Sequence, residues 1–226
     1  MKNKTLLAYV LPFVVFLGFL FLDSFVQEVF EGAGSVFFRA PKFWVYPLQT
    51  ALCAGLLLAF WKFYTFAPLR PWPLGVLAGL AVLFLWISPQ LVFGMPPRTE
   101  GFDPEFFGTT GALYGLTVLA RFARLVIVVP LLEEIFWRGF LMRYLINERF
   151  TTVAFGTFRP LSFFGVAVLF MLVHSIPDWP AAFLTGLIYN GLAVKTKSLW
   201  ACVLAHAVTN LGLGFYIMAT RQWGFW

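Results

Sequence analysis

Apolar residues along this chain gather into seven runs that are separated by more polar stretches of different lengths. The runs cover residues 5–22, 45–66, 74–93, 113–146, 161–176, 181–194 and 199–219. A helix needs about 20 predominantly apolar residues to cross a bilayer. The pattern therefore predicts an all-α protein, a polytopic transmembrane helical bundle of about seven spans.

Two of these runs depart from the length of an ordinary span. The sixth is short, so we expect it to be tilted or buried among its neighbours. The fourth is long, and we expect a membrane helix preceded by an amphipathic piece around Arg121 and Arg124. Pro130 lies inside this run and should free backbone carbonyls and kink the helix, because proline has no N–H.

The composition agrees with a membrane protein. Of the 226 residues, 61% are hydrophobic and 12% are charged, whereas a soluble domain carries about 25% charged residues. The basic residues form no patch or run, which argues against a nucleic-acid partner. Cys53 and Cys202 are isolated within apolar runs, as expected of small core residues.

The lysines and arginines between the apolar runs predict the orientation of the chain in the membrane. With the N-terminus in the cytoplasm, nine basic residues lie on the cytoplasmic side and four on the other, which favours this orientation. The nine are Lys2, Lys4, Lys62, Arg70, Arg143, Arg149, Arg159, Lys195 and Lys197, and the four are Arg39, Lys42, Arg98 and Arg221. The C-terminus would then lie outside.

The fourth run contains two adjacent acids, Glu133 and Glu134, followed by Arg138. A charged side chain at the bilayer centre costs roughly 2.5–3.5 kcal/mol on insertion scales, so membrane proteins keep such groups for function or for pairing. Glu134 and Arg138 are i,i+4 neighbours that can pair, whereas Glu133 points about 100° away on a helix. Glu133 is therefore a candidate general base. The alternative is a structural ion pair with one spare acid.

The chain has two histidines, and both lie within or at the end of apolar runs. His174 shares a helix face with Phe170, and His206 shares one with Asn210, each at i,i+4 spacing. A histidine and an asparagine one turn apart can bind a metal, hold a water molecule or stabilise an oxyanion. Taken alone, His174 is also explained as a hydrogen-bonded core residue. The His206 and Asn210 pair is also explained as a polar contact between helices.

Together these residues form the ordered pattern EExxxR, FxxxH and HxxxN, with each piece on its own predicted helix. The pattern resembles the CPBP family of intramembrane proteases, which includes the CAAX prenyl endopeptidases of the Rce1 type and bacterial relatives. The likeness runs from Pro130 to Asn210, and Trp137 stands where phenylalanine is common. Residues 137–141 and 189–191 further resemble a bacterial subgroup, the CAAX protease-related proteins found with exosortase systems.

The resemblance implies an α-helical membrane core in which the motif helices surround a polar cavity that opens to lipid and cytoplasm. It also implies roles for the motif residues. Glu133 would activate the hydrolytic water, and His174 would help to hold that water. His206 and Asn210 would stabilise the oxyanion of the tetrahedral intermediate. The other two charged residues of the first motif, Glu134 and Arg138, would support the site.

The resemblance leaves the use of a metal open. A zinc site formed by Glu133, His174 and His206, with water as the fourth ligand, fits the residue types. The chain has no HExxH motif, and a metal-free mechanism based on glutamate and histidine is equally compatible.

The sequence thus predicts an intramembrane endopeptidase of a bacterial inner membrane that hydrolyses a membrane-anchored or lipidated substrate with glutamate-activated water. Its expected partners are membrane lipid, that substrate and, through the subgroup likeness, exosortase-system proteins. The alternative is a non-proteolytic immunity or assembly factor of the same fold. We divide the chain into an N-terminal three-span region of unknown role, residues 1–111, and a protease core, residues 112–226.

Overall fold

Seven long helices follow one another in the structure, a computed structural model that describes residues 2–30, 35–68 and 72–226. They are α1 (Lys2–Val29), α2 (Lys42–Ala59), α3 (Trp72–Leu91), α4 (Ala112–Tyr144), α5 (Pro160–Leu172), α6 (Trp179–Thr196) and α7 (Leu199–Thr220). No strand occurs among the described residues. The predicted all-α, polytopic helical bundle is confirmed.

Each of the seven apolar runs falls on one of these helices, but the helices differ in length. Five of those described, α1 to α4 and α7, are long and apolar enough to cross a membrane. Helix α5 has 13 residues, which is shorter than the roughly 20 residues that a span needs. Helix α6 has 18 residues and is less apolar than these five. The bundle therefore combines five helices of spanning length with two others, α5 and α6, that pack against them.

The fourth run forms one continuous helix of 33 residues. The amphipathic piece expected around Arg121 and Arg124 is the first part of this same helix, and both arginines are buried. Two wide π-turns, Arg124–Val128 and Ile135–Leu141, interrupt its α geometry on either side of the two glutamates. Such π-turns are frequent at functional sites.

Pro130 leaves one backbone carbonyl of α4 without a hydrogen-bond donor in its own helix. The N–H of Val129 bonds to the Arg124 carbonyl, five residues back, and in that register the donor for the Leu125 carbonyl would be residue 130. Proline has no N–H, so this carbonyl is released. It accepts a hydrogen bond from Asn210 Nδ2 of α7 at 2.8 Å. The freed carbonyl thus becomes a contact between two motif helices.

Small residues let the helices around the motif residues approach closely. Helix α3 lies along α7, and a Cβ added at Gly79 would lie 2.5 Å from the Ala205 carbonyl oxygen. Thr209 Oγ1 donates to the Gly79 carbonyl at 2.7 Å. A Cβ added at Gly186 of α6 would lie 2.8 Å from Ala167 Cα of α5. Because α3 belongs to the N-terminal three-span region, that region packs directly on a motif helix.

The connections between helices define two opposite ends of the bundle. The connecting segments that precede α3, α5 and α7 lie at the end that holds the N-terminus. At this end the Tyr64 hydroxyl donates to the Ala8 carbonyl at 2.8 Å. Those before α2, α4 and α6 lie at the far end. There Arg98 pairs with Asp178 at 2.5 Å.

We expect Gly79→Ala to lower the free energy of unfolding by about 1–3 kcal/mol, the usual cost of overpacking, because its Cβ would meet the backbone of α7. Gly55→Ala is the matched control, since nothing lies within 4 Å of its added Cβ and alanine favours the helix. Thermal unfolding in detergent measures both variants. Equal midpoints for the two would contradict the close packing of α3 on α7.

Candidate functional site

The motif residues meet at a cavity of about 350 Å³ within the bundle. Glu133 lines it from α4, His174 from the segment just after α5, and His206 and Asn210 from α7. The remaining two charged residues of the first motif lie behind the cavity wall and are fully buried. Three helices therefore bring the predicted site residues to one place, although the residues are scattered over about a third of the sequence.

Glu134 is the acid of the pair that is engaged by the protein itself. Its Oε1 accepts hydrogen bonds from Arg138 Nη1 at 3.0 Å and from His206 Nδ1 at 2.9 Å. The predicted i,i+4 pair is therefore present, and the bond to His206 adds a link between α4 and α7. Burying a charge is costly unless the charge is paired and hydrogen-bonded, which these two donors achieve for Glu134.

Arg138 connects α4 to two other helices. Its Nε donates to Asn190 Oδ1 of α6 at 3.1 Å, and Asn190 Nδ2 donates to the Phe163 carbonyl of α5 at 2.7 Å. The guanidinium also lies over the Phe170 and Tyr189 rings, 5.1 and 5.3 Å from their centroids, which is within the range of cation–π attraction. The three motifs gave Asn190 no role, and its signals in the sequence were its place in the 189–191 stretch and a polar amide inside an apolar run.

Both imidazole rings are held through Nδ1. His206 Nδ1 faces the Glu134 carboxylate, and His174 Nδ1 lies 2.7 Å from the Phe170 carbonyl oxygen. A carboxylate and a carbonyl oxygen can only accept, so each Nδ1 carries a proton. The second ring nitrogen, Nε2, is left for the cavity in both residues. The FxxxH spacing also places the Phe170 ring against the His174 ring, with 4.7 Å between their centroids.

Glu133 is half-buried and faces the cavity. Among the described residues it accepts no hydrogen bond from a protein donor and forms no ion pair. Arg124 shares the cavity and interacts electrostatically with Glu133. A carboxylate whose oxygens are not engaged by the protein can bind a water molecule and take its proton.

Asn210 lines the cavity while it holds α7 against α4. One hydrogen of its amide is used on the carbonyl that Pro130 releases, so the second hydrogen is available to a ligand. A preorganised donor at a developing oxyanion contributes about 3 kcal/mol to catalysis. The position is therefore suited to stabilising negative charge on a substrate oxygen.

A hydroxyl chain supports the wall behind His206. Thr209 donates to the Gly79 carbonyl, so the Tyr189 hydroxyl must donate to Thr209 Oγ1, 2.7 Å away. The Tyr189 ring lies 5.7 Å from the His206 ring. The three motifs gave neither residue a role. Tyr189 lies in the 189–191 stretch that resembles the bacterial subgroup, whereas a threonine in an apolar helix such as Thr209 carries no signal of its own.

The cavity opens toward the far end of the bundle, away from the N-terminus. Arg98, Asp178 and Trp226 line it from the segments at that end. With the N-terminus in the cytoplasm, as the charge bias predicts, this end is the non-cytoplasmic side. The resemblance implied a cavity open to the cytoplasm. A cytoplasmic N-terminus and a cavity open to the cytoplasm are therefore incompatible in this structure. If the N-terminus is cytoplasmic, a substrate reaches the cavity from the non-cytoplasmic side.

The sequence left a metal site of Glu133, His174 and His206 open. All three line the cavity, but the described residues bring no three histidine, cysteine or acidic side chains together as a ligand set. The side chains as placed do not fit a three-ligand zinc site. Metal binding by these three residues stays a prediction.

Residues 115–212 match the family described as Rce1-like, type II CAAX prenyl endopeptidase. The match spans less than half of the chain and supports a protease of the CPBP family. The Rce1-like region contains all three motifs and supports protease activity of the intramembrane CAAX type in general. Together with the long apolar helices it supports an integral membrane protein. No curated protein and no solved structure matches the chain.

We expect Glu134→Leu to lower the free energy of unfolding by about 3–5 kcal/mol, because it leaves the buried Arg138 without its carboxylate. Glu133→Leu is the control at the adjacent position and should cost far less, since Glu133 has no protein partner to lose. Thermal unfolding of both purified variants measures the difference. Similar losses for the two would show that Glu134 does not hold the site together.

We expect a cysteine at Ile176 to react with a membrane-impermeant maleimide in intact spheroplasts, because it lies at the far end and is 72% exposed. A cysteine at Thr152, between α4 and α5, should react only after lysis. Cys53 and Cys202 are buried and provide the unlabelled background. The reverse pattern would place the N-terminus outside and the cavity mouth at the cytoplasm.

Proposed function

We propose that this protein is an intramembrane endopeptidase that hydrolyses a peptide bond of a membrane-anchored or lipidated substrate. The observation that carries the proposal is the contrast between the two adjacent acids. Glu134 Oε1 is engaged by Arg138 and His206, whereas Glu133 has no protein partner among the described residues and faces a cavity that it shares with both histidines. The position of this site within an Rce1-like region supports the reaction class.

In the proposed mechanism Glu133 accepts a proton from a water molecule, and the water oxygen attacks the scissile carbonyl carbon. His174 Nε2 helps to hold that water. The π electrons of the carbonyl move onto its oxygen, which becomes the oxyanion of a tetrahedral intermediate. The proton on Glu133 then passes to the amide nitrogen as the C–N bond breaks, which releases an amine and a carboxylic acid.

Asn210 and His206 are the proposed oxyanion donors. Asn210 contributes its second amide hydrogen. His206 donates from Nε2 only when that nitrogen also carries a proton, and the Glu134 carboxylate beside Nδ1 attracts the positive charge of this doubly protonated ring. Glu134 and Arg138 act as positioning residues, since they do not line the cavity.

Location in a bacterial inner membrane and partnership with exosortase-system proteins belong to the same proposal. The resemblance of residues 137–141 and 189–191 to the exosortase-associated subgroup supports both. Neither affects the chemistry of the site.

We expect Glu133→Gln to slow peptide hydrolysis by about 100-fold or more, because the amide cannot accept the proton of water. Purified protein in liposomes, assayed with quenched-fluorescent prenylated CAAX peptides, measures the rate. Its thermal midpoint should stay that of the wild type.

Glu105→Gln is the matched control, because Glu105 pairs with Arg221 and does not line the cavity. This variant should keep full activity. Undiminished hydrolysis by Glu133→Gln would remove Glu133 as the base. A wild-type protein that binds a membrane partner and hydrolyses no peptide would favour the immunity or assembly factor.

A further inference from the structure

A second, smaller cavity lies between α2 and α4, apart from the cavity that the motif residues line. Its volume is about 40 Å³. Two arginines of α4, Arg121 and Arg124, line it, and no acidic side chain of the described residues does. Buried cations without a paired anion are unfavourable. The charge of its walls therefore makes this α2–α4 cavity a candidate anion site.

Arg121 supplies hydrogen-bond donors that the protein leaves unused. It is 3% exposed, and its Nε and Nη1 have no hydrogen-bond partner among the described residues. These two nitrogens carry three of the five N–H hydrogens of a guanidinium. The group lies over the rings of Tyr46, Phe102 and Trp226. Aromatic rings attract a cation but do not neutralise it, so Arg121 keeps both its charge and its donors.

Arg124 is held more fully by its neighbours. Its Nε donates to Gln49 Oε1 of α2 at 3.0 Å. Gln49 is itself fully buried, and its Nε2 donates to the Phe16 carbonyl of α1 at 2.7 Å, which fixes the orientation of the amide. The Arg124 guanidinium lies 4.4 Å from the centroid of the Tyr46 ring. Arg124 therefore adds positive potential to the α2–α4 cavity, whereas Arg121 offers the donors.

The carboxylates that act on these arginines do not balance their charge. Asp23 of α1 acts on both arginines electrostatically, and Glu133 acts on Arg124. Neither acid forms an ion pair with them in the described part of the chain. Lys42, at the start of α2, acts on Asp23 in turn. Three cations thus face two carboxylates, and one monovalent anion would balance the excess.

We propose that the α2–α4 cavity binds one chloride ion, held by Nε and Nη1 of Arg121. A buried water needs about 10–15 Å³ of such space. The cavity of about 40 Å³ therefore has room for a single-atom anion, but not for a peptide or a lipid headgroup. The site is separate from the chemistry at Glu133 and does not depend on the proposed endopeptidase function.

Equilibrium binding of ³⁶Cl⁻ to the purified protein tests the site directly. We expect saturable binding of one ion per chain, displaced by bromide, which is similar in size and charge, and not by the much larger gluconate. Arg121→Met should abolish this binding, because methionine has neither the charge nor the N–H donors. Arg149→Met is the matched control, since Arg149 is exposed at the opposite end of the bundle, and it should bind chloride like the wild type.

Thermal unfolding in chloride or in gluconate, at equal ionic strength, gives an independent measure. Because a ligand stabilises the state that binds it, chloride at about ten times its Kd should raise the midpoint of the wild type by about 3 °C or more. Arg121→Met should show no such rise. In gluconate its midpoint should equal or exceed that of the wild type, because the variant removes a buried charge without a paired anion.

Ala120→Leu is a second variant that keeps the guanidinium and fills part of the cavity, since Ala120 lies in its wall. It should bind chloride at least about tenfold more weakly, a change of about 1.4 kcal/mol. A wild type that binds no chloride, or binding that persists in both Arg121→Met and Ala120→Leu, would overturn the inference. An Arg121→Met midpoint that is lower than the wild type by the same amount in both salts would also overturn it, because the arginine would then be structural.

A lipid phosphate is the competing source of negative charge. If short-chain phosphatidylglycerol raised the midpoint in gluconate while chloride did not, and Arg121→Met removed that rise, the donors of Arg121 would serve a lipid. That result would overturn the chloride site.

Discussion

A carboxylate oxygen with two donors organises the centre of this bundle. Glu134 Oε1 accepts from Arg138 Nη1 and from His206 Nδ1, and a side chain buried this deeply in a membrane protein needs such partners. Through Asn190 the same network reaches α6 and, through its bond to the Phe163 carbonyl, α5. One buried charge thus fixes how four helices meet, and the position of His206 depends on it.

This arrangement leaves Glu133, the adjacent acid, without a partner from the protein. On a helix two neighbouring side chains point in different directions, so Glu134 can be buried while Glu133 faces the cavity. The proline between the first π-turn and the glutamates has a related effect, because it releases a carbonyl that Asn210 binds. The amide that would stabilise an oxyanion is therefore oriented by the helix that carries the base.

The hydropathy pattern predicted all seven helices, because a run of apolar residues directly indicates a segment that is buried in the membrane or the core. The Glu134–Arg138 pair followed from i,i+4 spacing, which is local geometry. Contacts between helices could not be predicted in this way. The bond from Glu134 to His206 spans 72 positions, and the bond from Arg124 to Gln49 spans 75. Spacing on one helix does not say which other helix its face meets, and this is why Asn190 and Arg124 were overlooked as site residues.

The orientation of His206 tests this account most directly. The chain has only two histidines, so ¹⁵N-histidine labelling gives spectra of His174 and His206 alone, and a His174→Gln variant assigns them. We expect a protonated Nδ1 on His206, held by the Glu134 carboxylate. A neutral His206 ring with a bare Nδ1 and a proton on Nε2 would contradict it, because Glu134 would then not be positioning the histidine.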